Sequence, residues 1–243
     1  MRLKLLAALA MGMSLAGGVQ AANFNLFYGL DQRSGGGPRP NSDAAHASFL
    51  GALNGANIGI ETFEDNPLGS FLGGAVRLDF AGTALTGNLR SLSTLQSDIY
   101  ASTRLNGSRV LNADTHGRHD YFDLTFSAPV VAFGFYGHSF SDYAAFGIAG
   151  LPPIQITIDG GYPVDVVNLD PLNIQQNSVN FFGLISDTPF TTVRMTNPVS
   201  FEVDGVFLDD ITVATPGANV PEPASLLLAL LGLGSLGLMR RRD

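Results

Sequence analysis

Apolar side chains recur at every second position over most of this chain. In VRLDF, Val76, Leu78 and Phe80 alternate with Arg77 and Asp79. In YFDLTF, Phe122, Leu124 and Phe126 alternate with Tyr121, Asp123 and Thr125, and in IQITID, Ile154, Ile156 and Ile158 alternate with Gln155, Thr157 and Asp159. A period of two sends successive side chains to opposite faces of a strand. NFNLFYGL, a longer PVVAFGFYG begun by Pro129, YPVDVVNL, NFFGLIS, FTTVRMT, VSFEVDG and LDDITVAT are also strand segments, bounded by Gly, Pro, Asn or Asp. About ten short strands with such regular turn residues predict an all-β fold, an antiparallel two-layer β-sandwich. Alternation, rather than solid apolar runs, argues against a parallel sheet covered by helices. No repeat of fixed length is present, which argues against a solenoid or propeller.

One stretch breaks the pattern. In NSDAAHASFLGALNGA, Phe49, Leu50 and Leu53 form a short apolar face at helical spacing. Ser42 or Asn41 is placed to cap its start, and Gly55 stands where a helix end favours positive φ. The loop before it, DQRSGGGPRPNSDAA, has no apolar period.

The two ends differ from the middle. MRLKLLAALAMGMSLAGGVQA places Arg2 and Lys4 before an apolar run from Leu5 to Val19, and then small residues up to Ala21. That order predicts a secretory signal helix over residues 1–21, removed by signal peptidase after Ala21. At the other end, sixteen uncharged residues from Ala224 to Met239 precede Arg240, Arg241 and Arg242. As a helix they span about 24 Å at 1.5 Å per residue, slightly short of a hydrocarbon core of about 30 Å. The run predicts a transmembrane helix over residues 224–243, its arginines held at the cytoplasmic interface of the inner membrane. The β domain then occupies residues 22–214, and TPGANVPEP, within 215–223, is an extended Pro-rich linker.

Charge narrows the function. Residues 22–219 contain 8 Arg, no Lys and 19 Asp plus Glu, a formal charge of 8 − 19 = −11. No basic stripe is available to displace counterions from phosphate, so nucleic acid is not expected as a partner. The chain has no Cys, which removes a disulfide framework and leaves the core to apolar burial.

Val220-Pro221-Glu222-Pro223-Ala224-Ser225, followed by an apolar span and a basic end, resembles the PEP-CTERM sorting signal of Gram-negative bacteria. The resemblance covers residues 220–242 and has motif, span and arginine cluster in the required order. It implies recognition by an exosortase, a membrane peptidase acting near Pro221-Glu222-Pro223, and delivery through a membrane-anchored intermediate to the cell surface or matrix. It also implies bacteria that make an extracellular polysaccharide or biofilm. Glu222 is then a recognition residue.

A second resemblance lies in residues 178–214, from NFFGLISDTPFTTV to the closing LDDITV. These are similar to the last third of jelly-roll modules, including carbohydrate-binding ones. In many of those a structural calcium ion joins an Asp of the final strand to a Glu of an early strand, which implies Asp209 and Glu64 here; Glu61 and Asp65 lie in the same early stretch, GIETFEDNPLG. Asp204, Asp209 and Asp210 lie close in sequence, and close carboxylates repel unless a cation or a proton relieves them. Calcium takes six to eight hard oxygen ligands in irregular loops. The plainer reading is that these acids keep sheet edges soluble.

Catalytic patterns are weak. His116 and His119, with Asp114 and Asp120, lack both the helical spacing of H-E-x-x-H and its general-base Glu, and fit a solvated turn. His138 with Ser139 or Ser141 and Asp142 lacks a G-x-S-x-G elbow. Tyr136, Phe140 and Tyr143 are candidate sugar-stacking rings, although the chain has no Trp and most Phe are expected in the core. The expectation is a non-enzymatic exported surface or matrix protein with a jelly-roll-like module, binding carbohydrate or calcium. The alternatives are a purely adhesive protein, or a glycan hydrolase with paired carboxylates such as Asp204 and Asp209.

Overall fold

The computed structural model describes residues 23–32, 36–70, 74–92, 96–102, 105, 107–114, 120–140, 154–161, 163–166, 174–196 and 205–217. The expected signal and membrane segments lie outside these residues, as does the linker from residue 218 on, together with Ala21, Val220, Pro221, Glu222, Pro223, Arg240, Arg241 and Arg242. Thr215, the expected start of the linker, is the last residue of the final strand. Among the described residues no helix is long and apolar enough to cross a membrane.

The strands, in chain order, are β1 (Phe24–Asp31), β2 (Asn57–Glu61), β3 (Gly69–Ser70), β4 (Ala75–Asp79), β5 (Thr86–Ser91), β6 (Gln96–Ala101), β7 (Arg109–Asp114), β8 (Asp120–His138), β9 (Gln155–Ile158), β10 (Pro163–Asp165), β11 (Val179–Thr196) and β12 (Gly205–Thr215). The one helix among the described residues, α1, is Pro40–Ala52. Every strand pairing among them is antiparallel.

Two strands are far longer than expected. YFDLTF and PVVAFGFYG join into the 19-residue β8, and NFFGLIS and FTTVRMT join into the 18-residue β11. Pro129 therefore does not begin a strand. It lies inside β8, and Pro189 lies inside β11, both where the register between the two strands shifts, around the Val130–Phe190 pair. Proline cannot donate to the ladder and is tolerated at such irregularities. There Ser186 Oγ–H donates to the Thr188 carbonyl (2.7 Å), and the Thr188 N–H returns to Ser186 Oγ (3.2 Å).

This irregularity divides one continuous sheet into two layers that share β8 and β11. The first, the helix-side layer, runs β1, β11 (first half), β8 (second half), β12, β7, β6 and β3, with β2 also on β12. The second, the open layer, runs β10, β9, β11 (second half), β8 (first half), β5 and β4. One apolar cluster draws on both layers: Leu78, Leu89, Phe122, Leu124, Ile156, Val193 and Met195 meet Phe133, Phe135, Phe182, Leu184, Leu208 and Val213. The arrangement is β-sandwich-like, with the main core between the layers.

The helix covers the outer face of the first layer. A glycine row receives it: Gly134 of β8 pairs with Gly183 of β11, and Gly183 with Phe27 of β1. A Cβ on Gly183 would lie 2.8 Å from the Phe49 ring, and one on Gly134 3.2 Å from it. One on Gly29 of β1 would lie 2.2 Å from the Asn41 carbonyl oxygen. The missing side chains form the slot that Phe49 fills. Phe49 is fully buried there, packing with Leu53, Tyr136, Val179 and Phe181 in a second cluster.

The expected cap is also different. Neither Ser42 nor Asn41 caps α1 with its side chain. Instead the Asp31 carboxylate, at the end of β1, accepts from the N–H groups of Asn41 (3.1 Å) and Ser42 (2.8 Å). This satisfies two of the helix's unpaired donors and places negative charge at its positive end. Ser42 Oγ–H faces backward, towards the Val179 (3.2 Å) and Gly29 (3.4 Å) carbonyls, tying helix to sheet. Gly55 has φ +82°, as its position past the helix predicts.

Candidate functional site

The outer face of the open layer has no such cover among the described residues. Its strands alternate cleanly: Val193 and Met195 of β11 point into the core, while Thr192, Arg194 and Thr196 point out. On β8, Phe122, Leu124 and Phe126 are buried, and Asp123 and Thr125 face outward; on β9, Thr157 lies between buried Ile156 and Ile158. Antiparallel register aligns the outward residues into rows. One runs Thr157, Arg194, Asp123, Arg90, and the next Thr192, Thr125, Asn88, Arg77.

These rows form an open groove of about 520 Å³, lined by Asp123, Thr125, Thr157, Gly160, Thr192, Arg194 and Thr196. Arg194 crosses its floor and grips Asp123 with two parallel bonds, Nε–H to Oδ1 (2.6 Å) and Nη2–H to Oδ2 (2.7 Å). Such a forked pair holds both groups in a fixed plane. Next to the lining residue Gly160 stands Asp159, which has φ +45°. Its carboxylate accepts from the Thr192 N–H and hydroxyl (both 2.8 Å) and from the Thr191 N–H (3.1 Å). Burial alone would raise this carboxyl, but the bonds from Thr192 and Thr191 outweigh it and hold it below the ordinary range. The groove is therefore lined by four threonine hydroxyls, of which that of Thr192 already donates to Asp159, and a rigid guanidinium–carboxylate pair, with no ring among its lining residues. Chemically it suits a polyhydroxylated ligand, since hydroxyl, guanidinium and carboxylate groups supply the donors and acceptors that sugar hydroxyls need.

None of the described acids singled out in the sequence as calcium ligands lines this groove. Glu64 receives the Ser108 N–H (2.6 Å) and hydroxyl (2.7 Å) and the Arg109 N–H (2.9 Å), fastening the turn after β2 to the start of β7. The Ser108 hydroxyl and N–H hold its carboxyl below the ordinary range. Asp209 is fully buried in β12 opposite Tyr136, and its Oδ1 accepts from the Asp210 N–H (2.8 Å). Asp210 follows at φ +48°, where the register between β12 and β8 shifts. The acid of the early strand that lies beside β12 is Glu61, paired with Ile211. Glu61 accepts from the N–H groups of Phe63 (2.7 Å) and Asp79 (2.9 Å) and from Asn66 Nδ2 (3.3 Å), while burial raises its carboxyl. Protein donors thus account for the bonds to Glu61 and Glu64. Among the described residues no three His, Asp or Glu side chains gather as metal ligands.

His138 and Ser139 do meet, Ser139 Oγ lying 3.0 Å from His138 Nδ1. His138 is fully buried against the Phe207 ring, which closes that side to a substrate. Ser141, Asp142, Tyr143, His116, His119 and Asp204 lie outside the described residues, as do the side chains of Asp114 and Asp120. Phe140 and Tyr136 are buried and not exposed stacking rings.

Tyr136 belongs instead to a polar knot that the sequence reading did not assemble. Its hydroxyl donates to Asp43 Oδ1 (2.8 Å) and lies 3.2 Å from His46 Nδ1, and Arg39 sits over its ring at 4.2 Å. Burial, then the Asp43 bond, raises the Tyr136 phenol; burial lowers the His46 imidazole against the pull of the Asp210 and Asp43 carboxylates. Asp43 and His46 are three apart on α1, a spacing that places both on one helical face. The knot pins α1 to β8.

Comparison with known proteins bears on the tail. Residues 219–242 match the PEP-CTERM protein-sorting motif. No curated protein and no solved structure matches the chain. The motif implies export, a cell-envelope route in Gram-negative bacteria and processing by an exosortase. A mostly antiparallel β domain joined to that motif is consistent with a β-rich extracellular protein.

Proposed function

We propose that this chain is a non-catalytic surface or matrix protein whose sandwich, a jelly-roll-like module, binds extracellular polysaccharide through the groove of the open layer. The observation that carries the reading is the pairing of a sorting motif at residues 219–242 with a groove lined by Thr125, Thr157, Thr192, Thr196 and the Asp123–Arg194 fork. The motif supports a cell-envelope route, and on this reading the polymers at hand there are the glycans of a surface matrix. The groove supplies hydroxyl chemistry on a rigid sheet, the setting in which positioned polar groups confer specificity. It is shallow and open and has no aromatic platform, so affinity per sugar is low and retention depends on many repeats along a polymer. Calcium at Glu64 and Asp209 is not needed for this reading.

The test is retention of the exported, processed protein on immobilised extracellular polysaccharide. Exchanging Asp123 and Arg194 together for Ala is expected to cut retention severalfold, while stability changes by less than about 1 kcal/mol, as for an exposed ion pair. Equal retention of the double variant would remove the groove from the reading. No retention of the parent protein would remove the glycan ligand and leave the purely adhesive alternative.

A further inference from the structure

We infer that the groove discriminates among glycans by charge and selects a carboxylate-bearing chain, a polyuronate, over a neutral one. This rests on the glycan reading above and adds the class of sugar. The argument starts from the row Thr157, Arg194, Asp123, Arg90, in which a carboxylate stands between two guanidinium groups. Both oxygens of Asp123 are taken by Arg194, at 2.6 and 2.7 Å. Arg90, directly opposite Asp123 on β5, is exposed and has no ion-pair partner among the described residues. Directly opposed side chains have Cβ atoms about 4.5–5.5 Å apart, so geometry alone would allow Arg90 to pair with Asp123. The fork from Arg194 holds that carboxylate and leaves Arg90, one strand beyond the lining residue Asp123, with its charge uncommitted.

Elsewhere on this face each charge has a partner. Arg77 bonds Asp79 (2.9 Å), Arg194 bonds Asp123, the Asp159 carboxylate accepts from Thr191 and Thr192, and Asp165 accepts from Gln155 Nε2 (2.8 Å). Arginines 77, 90 and 194 thus stand with four carboxylates, 79, 123, 159 and 165, and Arg90 is the charge left unpaired among the described residues of this face, on a domain whose residues 22–219 sum to −11. A polyanion is repelled by the acidic surface in general and meets in Arg90 a cation that no carboxylate holds. Attraction is confined to that point, which orients the polymer. A uronate carboxylate reaching Arg90 can form a forked charge-assisted bond while hydroxyls of the following sugars along the polymer lie over Thr125, Thr192 and Thr157, three strand spacings (about 14 Å) away.

The experiment compares two polymers with one backbone: polygalacturonate, and the same polymer fully methyl-esterified and so neutral. The full exported, processed protein is passed over each at low and at physiological salt. Polygalacturonate is expected to retain the protein about tenfold more strongly at low salt, the scale of one charge-assisted contact, and the margin is expected to shrink as salt rises. Arg90→Gln is expected to bring polygalacturonate down to the level of the ester, and Thr157→Val to weaken both polymers alike. Equal retention on the two polymers, or an unchanged margin in Arg90→Gln, overturns the charge selection while the glycan reading stands. No loss with Thr157→Val places binding elsewhere and overturns this site. Retention on neither polymer overturns both readings together.

Discussion

The two halves of β8 and β11 belong to the same strands, and their outward faces differ completely. Beyond the irregularity at Pro129 and Pro189, in the helix-side layer, the outward positions are Ala132, Gly134, Tyr136, Phe181 and Gly183, small or aromatic, and α1 seals them. On the other side of it, in the open layer, they are Asp123, Thr125, Thr192, Arg194 and Thr196, and no described residue covers them. Since both halves bury the same kind of inward residue, the core cannot explain the contrast. The outward residues record what each face meets: a helix on one, solvent on the other. A face made of glycine and aromatic rings is committed to one partner of fixed shape, whereas one of hydroxyls and charges stays soluble and still offers specific contacts.

Three changes probe that contrast. The largest effect is expected from emptying the slot. Phe49→Ala removes a fully buried ring from the glycine row and is expected to cost about 3–5 kcal/mol, read as a lower urea midpoint. Loss of α1 protection in hydrogen exchange before that of β8 would mark the helix as the first unit to open.

Filling the slot should cost less. In Gly183→Ala the new Cβ would meet the Phe49 ring at 2.8 Å and the Phe181 ring at 2.9 Å, and relief requires both rings to shift. Overpacking of this kind is expected to cost about 1–3 kcal/mol. A neutral result would show that the helix can ride outward on its layer.

The smallest effect belongs to the open layer and is confined to acid. The Asp159 carboxyl lies below its ordinary range in the folded state, so its ionised form adds stability at pH values above the unfolded value, near 3.9. That contribution is lost as pH falls through the folded value, as protonation removes the acceptor for Thr191 and Thr192. Asp159→Asn is expected to flatten the melting-temperature profile below about pH 4 and to leave α1 protection unchanged. A parallel loss in α1 would mean that the two faces are coupled through the shared strands.

Periodicity made the layers legible, because a strand with one buried face must alternate. It could not reveal that β8 and β11 are continuous. Pro129 and Pro189 both look like strand ends in one dimension, and only pairing between residues about 60 apart turns them into a bend. The cap of α1 was hidden for the same reason. Asp31 reaches Asn41 and Ser42 through space, whereas local rules favour the side chains of Asn41 or Ser42 themselves. The likeness in the early stretch points to Glu64, and register, which the sequence does not display, adds that Glu61 pairs with Ile211 of β12. The groove was half visible: Asp123 and Thr125 were read as outward, yet their alignment with Arg194 and Thr157 needs three strands in register before it becomes a site. The tail was the opposite case, since motif, span and charge lie in one continuous run.

The place of β12 has a mechanical consequence for a protein whose C-terminal signal is handled by membrane enzymes. The sorting motif begins at residue 219, four positions after β12 ends. This last strand is not at an edge: β8 flanks it on one side, and β7 and then β2 on the other. Tension applied through the tail would act along β12 and shear both ladders at once. It could not unzip a border strand one bond at a time, so the domain can be tugged by its end without fraying.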